Sequence, residues 1–443
     1  MIQYCRLIFA GVSLLCVPCD AQSTDRDRIP SKEQSKYTEP YPQAPSKKGL
    51  QVEIVPDALE LGVKHAALNV DLCRVVAPGN PRSKDQWRFG SETFSFNSDY
   101  LAQLDASIKV LSDAGVLVNL IILAYQSAQP EINRLMLHPD YDSNAPNRLG
   151  AFNTSTADGS RWFTASLAFL AERWSRPQQD KGRVVGYIIG NEVNSHWWWS
   201  NMGKVSMESF VQDYHRTVRT VHQAIRSQSS WARIYLSLEH HWSIAYPPAE
   251  PEQAFPGRPF LDRFAELAKN GGDFDWHLAY HPYPESLFDP AFWEDESATP
   301  HFDTPRITFK NLDVITKYLA QERFKFQGQP RRITLSEQGF HTPKGPNGQA
   351  LQAAAYCYAY KKVEALPAID AFILHRHVDH PHEGGLHLGL RDYFPDRSDR
   401  PKKRIYDCFK RADTDEWEEA FQFALPIIGI DEWPSPARLS QSR

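Results

Sequence analysis

Two glutamates stand where a carboxylate is costly unless it has partners or a task. Glu192 follows the apolar run VVGYII through the turn Gly190-Asn191, and Glu337 closes the run RITLS. Two carboxyl groups brought to one cleft do the work of glycoside hydrolysis: one protonates the leaving oxygen while the other attacks the anomeric carbon or activates water. Other polar residues end apolar runs in the same way: Glu239-His240-His241 after RIYLSL, His281-Pro282-Tyr283 after FDWHLAY, and His375-Arg376-His377 after IDAFIL. Flat rings lie close by in the chain, with Trp197, Trp198 and Trp199 after Glu192 and Trp242 after His241. Such rings suit sugar faces as well as they suit a core. Three consecutive residues cannot all face one side, so at least one of the three is structural, while Trp197, Trp198 and Trp242 are candidates for stacking on substrate.

These residues need elements that deliver them to one place. From Leu50 onward, short β-branched runs alternate with amphipathic runs, the pattern of strand-helix units around a parallel sheet. Eight strands are expected, at 50–54, 64–70, 116–124, 184–189, 233–239, 274–280, 332–337 and 369–375. The helices between them show apolar positions at helical spacing, as in Leu101, Leu104, Ile108 and Leu111, or Phe163, Leu167, Leu170 and Trp174. Eight units fit a closed α/β barrel, the (β/α)8 or TIM fold, as a single domain over residues 50–443 with long βα loops. An open doubly wound sheet would carry a Gly-rich first turn, and none is present. In a barrel the C-terminal ends of the strands line the site, which is where all the polar endings fall.

With its glutamates at the ends of the fourth and seventh strands, the chain resembles the clan A glycoside hydrolases, a group of retaining (β/α)8 enzymes. The residues that carry the resemblance are GNE at 190–192, HPY at 281–283 and LSEQGF at 335–340. The resemblance implies that Glu192 is the acid/base, Glu337 the nucleophile and Asn191 a donor to the sugar 2-hydroxyl, with Tyr283 holding the nucleophile and His281 beside it. It also implies a short separation of the two carboxyl groups, roughly 5 Å, as retention requires. Glu337 should stay ionised, helped by Tyr283 and Arg376, and Glu192 should be protonated at rest because burial and the nearby negative charge both raise its pKa. Many members of that group place an Arg at the end of strand two, a His at the end of strand three and a Trp at strand eight. This chain has Asn69-Val70-Asp71, Ala124-Tyr125-Gln126 and His375-Arg376-His377 there. Glu239 is expected to bind substrate or support the site.

The remaining features bound the reading. A formal charge of -5, with no basic cluster interleaved with aromatics, gives no footprint for nucleic acid, and no segment has the length of a membrane span. Residues 1–21 read as a secretory signal with Arg6, an apolar stretch from Leu7 to Val17 and Ala21 at the cleavage point, so a secreted or periplasmic address is expected. A lipid anchor at Cys16 or Cys19 is disfavoured by its neighbours. Residues 22–49 are charged and Pro-rich and read as an extended tether. Cys73, Cys357 and Cys408 have no metal-like spacing and read as small buried hydrophobes. HRHVDHPHEGGLHLGL, 375–390, raises the question of a metal. Its scattered partners, Asp71, His240 and Asp379, do not make a ligand set, and no cofactor is expected. The stretch is read instead as a hydrogen-bonding loop over the sugar, with His375, Arg376 and His377 its candidate contacts, and the loops 126–159 and 375–395 are expected to shape the cleft. The expected activity is hydrolysis of a β-linked oligo- or polysaccharide. The alternatives are a non-catalytic carbohydrate-binding barrel and a metal-dependent hydrolase using the His-rich loop.

Overall fold

The computed structural model describes residues 40–176 and 180–441. The expected signal segment, and the part of the tether before residue 40, lie outside those residues. Eight parallel strands close on themselves: β1 (Lys48–Gln51), β2 (His65–Asp71), β3 (Leu117–Leu123), β4 (Val184–Ile189), β5 (Arg233–Glu239), β6 (Trp276–His281), β7 (Ile333–Leu335) and β8 (Ile369–Leu374). Each pairs with its neighbours in sequence, and β8 pairs with β1 through Gly49↔Ile373 to seal the barrel. Eight outer helices cover it: α1 (Val55–Glu60), α2 (Ser98–Asp113), α3 (Ala157–Trp174), α4 (Met207–Arg226), α5 (Gly257–Asn270), α6 (Asp313–Leu319), α7 (Gly348–Glu364) and α8 (Arg404–Arg411). This is the (β/α)8 fold expected from the alternation of runs.

Strand pleating separates two cores. Leu50, Val70, Ile122, Ile189 and Leu236 face the helices, whereas Ala67, Ile121, Leu123, Ile188, Tyr235, Ala279, Ala371 and Ile373 fill the interior of the barrel. Gly186 belongs to that interior, and a Cβ there would stand 2.1 Å from Asn119 Oδ1 and 2.9 Å from the Tyr235 ring. Outside, Phe163, Leu167, Leu170 and Trp174 of α3 are fully buried, each worth about 1.5–3 kcal/mol. The Trp174 indole donates to Asp105 of α2 at 2.9 Å, so the apolar face is also fixed in register.

Strand ends differ from expectation by one or two residues in most strands, and β1 and β7 differ most. β1 begins at Lys48 and ends at Gln51, because Pro56 in the first turn of α1 starts the helix early and the chain must leave the sheet to reach it. Lys48 and Gly49 are therefore barrel residues and not the end of a tether. Lys48 Nζ donates to the carbonyls of Lys410 and Ala412, and Tyr41 lies under the Arg233 guanidinium. β7 is short, leaving Ser336 and Glu337 in the loop beyond it. The β2–α2 loop holds a hairpin, Asp85–Phe89 with Glu92–Phe96, whose Phe94 and Phe96 pack on Trp162 and Phe169 of α3. The C-terminal stretch from Ile405 to Trp433 is α8 followed by short helical turns. Cys73, Cys357 and Cys408 are free and buried. No helix among the described residues is long and apolar enough to cross a membrane.

Candidate active site

The inward phase of each strand, carried past its end, delivers side chains to the barrel mouth. Ala279 leads to His281 and Tyr283, Tyr235 to Ser237 and Glu239, Ile373 to His375, and Leu123 to Tyr125. After β4 the chain turns sharply through Gly190 (φ +77) and Glu192 (φ +41). A left-handed glutamate is uncommon and marks a conformation imposed by its surroundings. Here the backbone N–H of Glu192 donates to Ser237 Oγ of β5 at 3.0 Å, which locks the turn.

Glu192 and Glu337 meet across the mouth. Glu192, His281 and Glu337 each place a side-chain N or O within 4.8 Å of the others. His281 Nδ1 lies 2.9 Å from Glu192 Oε1, and its Nε2 lies 2.9 Å from Ser336 Oγ, so one ring ties the β4 turn to the β7 loop. Glu337 accepts from the Tyr283 hydroxyl at 3.3 Å and from Gln51 Nε2 at 3.1 Å. The two environments push the carboxyls apart. Burial raises the pKa of Glu192, and the negative charges of Glu337 and Glu239 add to it, against the hydrogen bond from His281. Burial acts on Glu337 too, but His375, His281 and the Gln51 amide outweigh it and hold its pKa below the ordinary value.

Glu239 is placed differently. One of its oxygens accepts from Asn194 Nδ2 at 2.6 Å and Ser195 Oγ at 3.0 Å, the other from the backbone N–H of His241 at 2.8 Å and lies 2.6 Å from His241 Nδ1. Burial opposes its charge, yet His241 and these hydrogen bonds bring its pKa down to about 2. It is an anion held by the loops after β4 and β5.

A cavity of about 710 Å³ opens over the pair, within the usual range for small-molecule sites. Of the residues singled out from sequence, Glu192, Trp198, Glu239, His240, His241, Tyr283 and Glu337 line it. Of the three consecutive tryptophans, Trp199 lines it as well, whereas Trp197 is buried and does not. Trp198 stands edge-on to Tyr246 with centroids 4.9 Å apart. Trp242 is fully buried, donates its indole N–H to the Phe302 carbonyl and packs on Tyr318, so it cannot reach a ligand. It lies out of phase with Tyr235, Ser237 and Glu239. Asn191 and His281 are buried behind the cavity wall. His377 is also removed from the mouth: its Nε2 lies 2.7 Å from Asp57, and its Nδ1 accepts from the backbone of Glu53 and Ile54. His375 and Arg376 converge on Glu383, which itself faces the cavity. Arg376 thus does not hydrogen-bond the nucleophile position as expected; Gln51 does.

The residues missed from sequence are Gln51, Glu383, Tyr125, Asn147, Tyr246, His380 and His382. Tyr125 was legible as the next inward position after Leu123; the others arrive by loops or by the shifted end of β1. Two sets, Glu239-His240-His241 and Glu192-His281-Glu337, bring potential ligand atoms within 4.8 Å of one another. In the first set both oxygens of Glu239 accept hydrogen bonds, and in the second His281 is shared between Glu192 and Ser336. In the His-rich loop, His375 and His377 turn to different partners, and Asp379 is held by Lys403 at 2.8 Å and by the Gly389 N–H at 2.6 Å. A larger depression of about 880 Å³ lies between the hairpin and α2, where the Arg173 guanidinium joins the Asp85 and Asp105 carboxylates.

A search of curated proteins finds no match to this chain. Among solved structures, the fold is similar to that of a family 39 glycoside hydrolase from the gut symbiont Bacteroides cellulosilyticus WH2 (TM-score 0.52, 14% identity, covering 83% of this chain and 63% of that one). It is also similar to a hyperthermophilic β-glucosidase from Pyrococcus furiosus (TM-score 0.56, 14% identity, 84% and 86%) and to a family 1 β-glucosidase from Thermotoga maritima (TM-score 0.50, 14% identity, 81% and 84%). The chain spans less than two thirds of the length of the first of these. What this chain shares with these structures is the (β/α)8 fold. A profile of a family of unknown function, DUF5722, matches residues 40–435, and the chain belongs to that family.

Proposed function

We propose that the protein is a retaining glycoside hydrolase acting on a β-linked oligo- or polysaccharide, exported from the cell. The observation that carries this reading is the short approach of the Glu192 and Glu337 carboxyls, within 4.8 Å, in environments that raise the pKa of the first and lower that of the second. That approach supports the roughly 5 Å spacing of retaining enzymes over the roughly 6.5–9.5 Å at which inverting enzymes hold their carboxyls. In the first step Glu337 attacks the anomeric carbon while Glu192 gives its proton to the leaving glycosidic oxygen. In the second, Glu192 takes a proton from water, and the hydroxide released into the bond displaces Glu337. Tyr283 and Gln51 orient the nucleophile, His281 orients the acid, and Trp198, Trp199 and Tyr246 offer apolar faces to sugar rings.

The test is a reducing-end screen over plant, algal and bacterial glycans with the wild type and Glu337→Gln in parallel. Release of reducing ends by the wild type alone supports the reading. Activity undiminished by the substitution removes the nucleophile assignment, and binding of a glycan with no turnover favours a carbohydrate-binding barrel.

A further inference from the structure

The hydrogen bonds that fix Glu337 come from Gln51 and Tyr283, neither of them cationic, so its charge must be supported from further away. The titratable groups that face it are His281 and Tyr283 beyond β6, Glu192 beyond β4, Tyr125 beyond β3, and His375 and Glu383 beyond β8. Of these, His281 is shared with Glu192. That leaves His375.

The protonation of His375 follows from its neighbours. Gln51 Nε2 faces two acceptors, Glu337 Oε2 at 3.1 Å and the Ser336 carbonyl at 3.2 Å, which sets the amide so that Oε1 points to His375 Nδ1 at 2.7 Å. An amide oxygen only accepts, so Nδ1 carries a hydrogen. On the other side, Nε2 lies 2.8 Å from Glu383 Oε1, a carboxylate oxygen that also receives Arg376 Nη1 at 3.0 Å. Nε2 must carry a hydrogen as well. Turning the amide over would set its oxygen against both Glu337 and the Ser336 carbonyl.

Resting on the reading of Glu337 as nucleophile, we propose that His375 is held as an imidazolium between Gln51 and Glu383 and, through the Gln51 amide, is the positioning group that keeps Glu337 ionised and aimed. Burial works against a charge on His375, but Glu337 and Glu383 outweigh it, with Arg376 the opposing cation. Glu383 has two faces: it lines the cavity and it holds the ring. The loop that walls the substrate site thus also sets the charge of the nucleophile. Its stem is pinned by Asp379 to the Gly389 N–H and to Lys403, which keeps Glu383 within reach of His375.

The test uses the full-length protein labelled with [15N]histidine, and it needs no substrate, so it stands apart from the question of turnover. The His375 resonances are assigned by their loss in His375→Gln or, should that variant not fold, by their displacement in Glu383→Gln. Both ring nitrogens are expected to remain protonated at and above about pH 6.5, where an ordinary histidine is losing its proton. In Glu383→Gln the ring is expected to lose a proton at lower pH than in the wild type. A neutral His375 ring at that pH in the wild type overturns the proposal. On any substrate found in the glycan screen, His375→Gln is expected to move the acidic limb of kcat/KM upward by about one pH unit or more. An unmoved limb overturns the proposal as well.

Discussion

Replacing Glu192 by Gln gives a stability experiment whose sign depends on the protonation state of the residue. The pKa of Glu192 is raised in the folded protein because burial, Glu337 and Glu239 together outweigh the hydrogen bond from His281. A carboxyl raised in this way keeps its proton in the folded state while the unfolded chain has already lost it. Folding stability therefore falls as pH rises from the ordinary carboxyl value toward the raised one, by up to about 1.4 kcal/mol per pH unit. Glutamine has the shape of the protonated acid and cannot ionise. The Glu192→Gln variant should match the wild type at about pH 4, below the ordinary carboxyl value, gain on it steadily above, and level off once the wild-type side chain is ionised. Urea unfolding followed by tryptophan fluorescence across that range measures the difference directly. The contrary outcome is well defined. His281 lies 2.9 Å from Glu192, and if the two formed a stabilising ion pair, the variant would lose stability relative to the wild type above the ordinary carboxyl pKa. A variant that weakens with rising pH, or a difference that does not vary with pH, would refute the assignment of Glu192 as the resting acid.

Three further outcomes are expected. The kcat/KM profile should be bell-shaped, rising through a Glu337 pKa held below the ordinary value by His375, His281 and Gln51 against burial, and falling through a raised Glu192 pKa; Glu192→Gln should lower kcat by roughly 10²–10⁴-fold on a substrate with a poor leaving group. Asp57→Asn should destabilise the fold by about 3–5 kcal/mol in thermal unfolding while leaving kcat of the folded enzyme unchanged. Asp57 receives Arg391 and the Tyr406 hydroxyl and lies 2.7 Å from His377 Nε2 at the barrel wall, away from the cavity. Trp198→Ala should raise KM by about 10-fold, the order of one aromatic stacking interaction, whereas Trp242→Phe should leave KM alone and lower stability by about 1 kcal/mol through the lost bond to Phe302.

The fold was legible because apolar runs and helical spacing repeat eight times, and because a parallel strand buried on both faces tolerates few polar residues. β4 and β5 fall where their sequence places them, and with them Glu192 and Glu239. The site was legible only as far as strand phase reaches. His281 and Tyr283 continue the inward side of β6, and His375 that of β8. Trp242 stands on the outward side of β5, which the end of a run alone does not reveal. Gln51 was hidden because Leu50–Ile54 reads as a strand, whereas the helix start at Val55 forces the chain out of the sheet just after Gln51. Glu383 was hidden for a different reason. It reaches His375 across a loop closed by Asp379, Gly389 and Lys403, contacts that no periodicity encodes.

The central claim is that Glu337 and Glu192 work as a nucleophile and an acid/base at short range. Its most direct test is the configuration of the first sugar released, read by proton NMR before the product mutarotates, on a β-linked substrate from the glycan screen. The β-anomer is expected to appear first and the α-anomer only later. An α-anomer appearing first would contradict the claim.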